Sequence, residues 1–201
     1  RTYFDPEEFR KYRRQLTLIP LFSFAGGVML YLFDPMWFWR ALAYLAVYHF
    51  VRQQYGFFSL YARKEKRAKW ERSIDAFTIY GATLYPMIYW HTHLPRNFSW
   101  FVEGDFLALN APWVSALAGW IYLGILIVYL GKEVRMSVDR KLFNLPKNLI
   151  LIGTVISWYY GIVIKNGDLA FTATNVVAHG IPYMALVWMY GKKKETATKT
   201  G

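Results

Sequence analysis

At 201 residues and 23.7 kDa the chain has the size of one ordinary soluble domain, but its composition argues against that class. It is 55% hydrophobic and 20% aromatic, with 18% charged residues against the roughly 25% usual in globular domains. A chain this apolar collapses, which excludes disorder. The absence of cysteine excludes a disulfide scaffold, thiolate metal sites and a cysteine nucleophile.

The apolar residues fall in six blocks, each long enough to cross a hydrocarbon core that takes about 20 helical residues. In chain order they are Gln15 to Phe33, Met36 to Tyr61, Ile74 to His91, Ala111 to Gly131, Asn148 to Lys165 and Thr172 to Gly191. Turn signals such as Phe33-Asp34-Pro35, or clusters of charge, separate them. Six water-soluble helices of this kind would have too little polar surface. The expected fold is therefore all-α, a polytopic membrane bundle over residues 15–191. A basic segment, 1–14, precedes it and a basic tail, 192–201, follows.

Charge position fixes the expected orientation. The chain carries 24 Lys+Arg against 13 Asp+Glu, a net +11, and 20 of those basic residues lie in four places. These are residues 1–14, the second-to-third connection, the fourth-to-fifth connection and the tail. The alternate connections hold little charge: Asp34 after the first block, Arg96, Glu103 and Asp105 after the third, Asp168 after the fifth. The positive-inside rule then places both termini in the cytoplasm, and the expected location is a bacterial cytoplasmic membrane. The +11 is read as an orientation marker, so no nucleic-acid partner is expected. Trp37, Trp39, Trp90, Trp100 and Trp113 stand at outer block ends, as an interfacial belt would. The aromatic stretch Asn97 to Ala108 is expected to lie on the outer surface, and Asp75 to face Arg72 or its own helix dipole.

Ionisable groups inside spans are functional candidates by default. His49 is central in the second block. Arg52, Gln53 and Gly56 follow at i+3, i+4 and i+7, within an arc of about 100°. Such a stripe at mid-bilayer is expected to face protein. His179 lies in the sixth block with Asn175 and Tyr183 four residues to either side, beside the helix-weakening Gly180 and Pro182. His91 and His93 close the third block. By segment depth, His49 and His179 meet readily, whereas His91 and His93 lie on the order of 13 Å further out. Gly56 or Gly161 could make room for a porphyrin.

The expected chemistry is a metal held by His49, His91, His93 and His179, with iron, copper or zinc suited to imidazole ligands. Arg52, Gln53, Asn175 and Tyr183 would orient the imidazoles. A site at this depth is reached from lipid, so the substrate would be a hydrophobic small molecule and the reaction an oxygenation or other oxidation. His49-x-x-Arg52-Gln53-Gln54-Tyr55-Gly56 and His179-Gly180-Ile181-Pro182-Tyr183 resemble motifs of uncharacterised bacterial multi-pass membrane proteins. The scatter of a few histidines over separate spans is similar in kind to the Brp/Blh-type membrane carotene dioxygenases, which implies iron on four histidines. The chain is shorter than those enzymes and lacks their His-Phe-Gly-type signature, so the resemblance carries no catalytic role over. Two other readings stand beside this one. One is a haem b electron-transfer subunit with His49 and His179 as axial ligands. The other is a non-catalytic accessory or scaffold subunit among other membrane subunits.

Overall fold

The computed structural model describes residues 2–93, 99–141, 143–165 and 167–199, with the side chains of 2, 168 and 193–199 left aside. Arg96 and the first two residues of the Asn97-Phe98-Ser99 sequon lie outside it. The described chain is all-helical. Helices α1 (Pro6–Phe33), α2 (Pro35–Ala62), α3 (Lys69–Thr92) and α4 (Pro112–Arg140) are unbroken rods. Helix α5 (Leu145–Trp158) runs on as a π-helical stretch, π1 (Tyr159–Ile164). The last rod joins a short α6 (Asp168–Phe171), a second π-helical stretch, π2 (Thr172–Val177), and α7 (Ala178–Lys199).

Local sequence explains the ends. Asp5 accepts from the N–H groups of Glu7 and Glu8 ahead of α1, with Pro6 at the first helical position. Asp34 ends α1 through its N–H on Leu30 O and starts α2 by accepting from Met36 N at 2.7 Å, so one residue makes the corner. Asn144 caps α5 in the same way, accepting from Lys147 N. The basic N-terminal segment is not a separate tail. Arg10, Lys11, Arg13 and Arg14 are part of α1, offset by a kink at Tyr12.

By length and composition, three helical runs suffice to cross a membrane: Pro6–Phe33, Pro112–Arg140 and Leu145–Ile164. Helix α2 is diluted by Arg40, His49, Arg52, Gln53 and Gln54, and α3 opens on Lys69, Glu71, Arg72 and Asp75. Large apolar side chains lie exposed along α1 and the outward face of α4, such as Phe24, Leu32, Trp120 and Ile127. So much contiguous apolar surface is compatible with lipid and unlike that of a soluble monomer.

Helices α2, α3, α4, α5 and π1 form the packed core. One cluster, around Phe50, Trp90, Phe106, Trp158 and Phe171, fills the outer half. A second, around Phe58, Ile79, Tyr122, Tyr129 and Leu151, fills the inner half. Helix α1 buries no residue, and α7 leans on π2 for its main contact within the chain.

Two expectations at the outer end are corrected. Trp90 and Trp100 are not belt residues. Trp90 is buried, and Trp100 packs on Phe50 and Phe171 at ring-centre distances of 5.3 and 5.2 Å. The stretch after residue 98 does not lie flat on the surface; it folds into the bundle as a plug. The wholly buried Asp105 makes that possible by accepting from the N–H groups of Trp100, Phe101 and Val102, which lets Phe106 drop beside Trp90 and Tyr44.

The two π-helical stretches face one another across Gly161. A methyl group there would overlap Thr174 Oγ1 and press on Asn175 Nδ2. Gly161→Ala is expected to cost about 1–3 kcal/mol through this overpacking. Most of that should return in a Thr174→Ala background, measured as thermal unfolding in detergent.

Candidate functional site

The structure brings His49 and His179 together, with ring centres 5.0 Å apart and planes at 69°. His179 also packs on Phe50 at 4.1 Å, and its Nδ1 is buried without a hydrogen-bond partner. Gln53 does reach His179, but through the backbone: its Nε2 donates to His179 O at 3.2 Å. Its own Oε1 is left buried and unpartnered.

His91 and His93 do not join this pair. His91 Nδ1 donates to Met87 O at 2.6 Å, and since a carbonyl only accepts, that bond fixes the tautomer. His91 Nε2 therefore accepts from Tyr44 Oη at 2.8 Å, and Tyr44 Oη in turn accepts from Leu107 N. Both ring nitrogens are thus engaged in holding the plug against α2. His93 stacks on Tyr89, with ring centres 4.5 Å apart. Phe106, Trp100 and Phe50 form a chain of ring contacts between His91 and His179. Among the described residues, no three histidine, aspartate or glutamate side chains are grouped to hold a metal ion.

The other expected site residues are also dispersed. Asn175 is buried, but its Nδ2 donates to Phe171 O and Thr174 Oγ1 rather than to an imidazole. Tyr183 is 53% exposed. The even face shared by Asn175, His179 and Tyr183 assumed a regular helix, and π2 interrupts it. Gly161 offers no room for a porphyrin, because Thr174 occupies the space beside it.

The polar stripe on α2 does not face the interior of this chain. His49, Arg52 and Gly56 are exposed, and Gln53 at one edge is turned toward α7. At the other edge Arg52 does not reach toward the cytoplasm. Its guanidinium donates to the hydroxyl of Tyr80, at the middle of α3, and lies over Tyr55, which stacks on Tyr80. Among the described residues it has no acidic partner.

A second constellation was not anticipated from the sequence. Glu65, Arg67, Asp75, Lys132, Glu133 and Lys147 form a closed circuit of alternating charge at one end of the core. Arg67 lies 3.4 Å from Glu65 and also binds Asp75, and Asp75 binds Lys132. Lys132 lies 2.8 Å from Glu133, Glu133 2.6 Å from Lys147, and Lys147 3.3 Å from Glu65. The Tyr129 ring sits against both ammonium groups, at 4.4 and 5.8 Å. Asn148 donates to Glu133 Oε2 and accepts from the Tyr129 hydroxyl. Asp75 is thus held by Arg67 and Lys132, not by Arg72 or its own helix dipole. Nearby, Glu71 caps α3 by accepting from Ala68 N at 2.7 Å and pairs with Arg140. Burial pushes the Glu71 carboxyl up, but the Ala68 N–H and Arg140 outweigh it and hold it below the ordinary carboxylate range.

Compared with known proteins, the chain matches no protein-family model, no curated protein and no solved structure.

Proposed function

We propose that this chain is a multi-pass membrane subunit that works within a larger intramembrane assembly, its six helical rods spanning the bilayer with both termini in the cytoplasm. One observation carries the reading: the α2 stripe of His49, Arg52 and Gly56 is exposed at the middle of its helix, and Arg52 has no acidic partner in the described chain. A guanidinium at that depth is costly against hydrocarbon, so another polypeptide covers it. That α1 buries no residue agrees, since an idle helix of that length offers a further surface for association.

The test is a photo-crosslinking residue at Gly56, where a side chain meets open space, in cells that express the protein at native level. Adducts with a second polypeptide are expected. Adducts with lipid alone would reject the subunit reading.

A metal-dependent oxidation of a lipid-like molecule is the second reading, favoured by the spacing of the imidazole pair. Two imidazoles on one tetrahedral metal, at bonds of about 2 Å, hold their ring centres roughly 5 Å apart. His49 and His179 stand at 5.0 Å. Axial ligands on opposite faces of a haem would stand roughly 6 Å apart with the porphyrin between them, so the spacing suits a shared metal better. His49 and His179 would hold such an ion, with the remaining positions left to water, substrate or the covering subunit. Bound iron would supply oxidation chemistry. Metal analysis and a visible spectrum of purified protein decide the matter. Stoichiometric iron without a Soret band supports the reading, a Soret band favours haem, and neither rejects both.

A further inference from the structure

We infer that the groove between α2, α5 and α7 is a binding site for a single-chain lipid carrying one hydroxyl or carbonyl group, such as a long-chain alcohol, an ester or an isoprenoid quinone. The inference does not rest on the subunit reading above.

The cavity has a volume of about 400 Å³, within the usual range of small-molecule sites. Small residues hollow it out: Gly153 on α5, and Ala178 and Ala185 on α7. A side chain added at Gly153 would meet open space, so the hollow is not filled from across the groove. Size selects the occupant. A helix is about 10–12 Å across with its side chains and needs a trough far larger than this, whereas one hydrocarbon chain fits. The groove lies along helices that form the spanning part of the fold, and Leu60, Leu149, Leu186 and Met189 on its rim are exposed. A chain from the bilayer can therefore enter sideways.

The wall is apolar except for one short strip made by Gln54, Thr154 and Ser157. Thr154 Oγ1 lies 2.8 Å from Ile150 O and 2.9 Å from the Gln54 amide. One hydroxyl proton serves only one acceptor, and the Ile150 carbonyl can do nothing but accept. The Gln54 amide thus retains hydrogen-bonding capacity that the chain does not use. Ser157 Oγ donates to Thr154 O at 3.2 Å and keeps lone pairs for an incoming donor. A polar strip of one amide and two hydroxyls suits a single oxygen-bearing head group, not a charged phosphate.

The test uses full-length protein in phospholipid nanodiscs with two photoactivatable probes, a long-chain alcohol and a plain hydrocarbon, each with a mid-chain diazirine. The alcohol is expected to label α2, α5 and α7 along the groove. Gly153→Phe or Ala185→Phe, each checked for an unchanged thermal transition, should abolish that labelling. Gln54→Leu should weaken labelling by the alcohol about fivefold, the worth of one neutral hydrogen bond, and leave the hydrocarbon unaffected. Labelling that persists in both filled variants, or crosslinks from the groove to a second copy of the chain, would overturn the proposal. Alcohol labelling indifferent to Gln54→Leu would overturn the assignment of the head group.

Discussion

Lys147→Met is expected to destabilise the protein by about 3–5 kcal/mol, the cost of removing one member of a buried ion pair and stranding its partners. Lys147 is wholly buried and stands between Glu65 and Glu133. Without it, two carboxylates face each other across the Tyr129 ring with no cation between them. The prediction separates a working circuit from incidental charge. The compensating variant Lys147→Met/Glu133→Gln removes one charge of each sign and should recover much of the loss. Thermal denaturation and the monodisperse yield in detergent provide the readouts. A surface ion pair such as Arg135–Asp139, which is largely exposed, should by contrast change stability by less than about 1 kcal/mol when broken.

Asp105→Ala should release the outer plug at a cost of about 3 kcal/mol, since three backbone N–H groups lose a charged acceptor together. The consequence extends beyond stability. Trp100 covers Phe50, and Phe50 covers His179, so a loosened plug opens the imidazole pair to the outer side. Hydrogen exchange over residues 99–108 should accelerate, and His179 should become reactive to diethyl pyrocarbonate while His93 is unchanged. If the plug stays protected in the variant, Asp105 is not its anchor.

The all-helical character and the approximate course of the rods were legible in the sequence because apolar block length and Asp-Pro or Asn-x-Pro corners are local signals. The meeting of His49 and His179 was legible as well, because helical depth is countable. Three features were not. The sixth block carried no mark of π-helix, so Asn175 and Tyr183 were assigned to the face of His179 when one is buried elsewhere and the other exposed. The side on which the α2 stripe lies depends on which helices flank it, and sequence order alone does not fix helix neighbours. Arg67, Lys132 and Lys147 were counted as orientation charges. Their partners lie 57 or more residues away for Lys132–Asp75 and Lys147–Glu65, beyond any local pattern.

The paired π-helical stretches make the chain's last rod a rotary setting. A π-helical turn closes its hydrogen bonds one residue further along than an α-helical turn, so it takes up one extra residue. Excising a single residue from Thr172–Val177 would let the stretch relax to regular α-helix and turn everything after it by about 100°. His179 would then swing away from His49, and Ala178, Ala185 and Met189 would leave the groove at the same time. The imidazole pair and the lipid groove, on adjoining faces of one rod, are thus geared to the same short stretch of backbone.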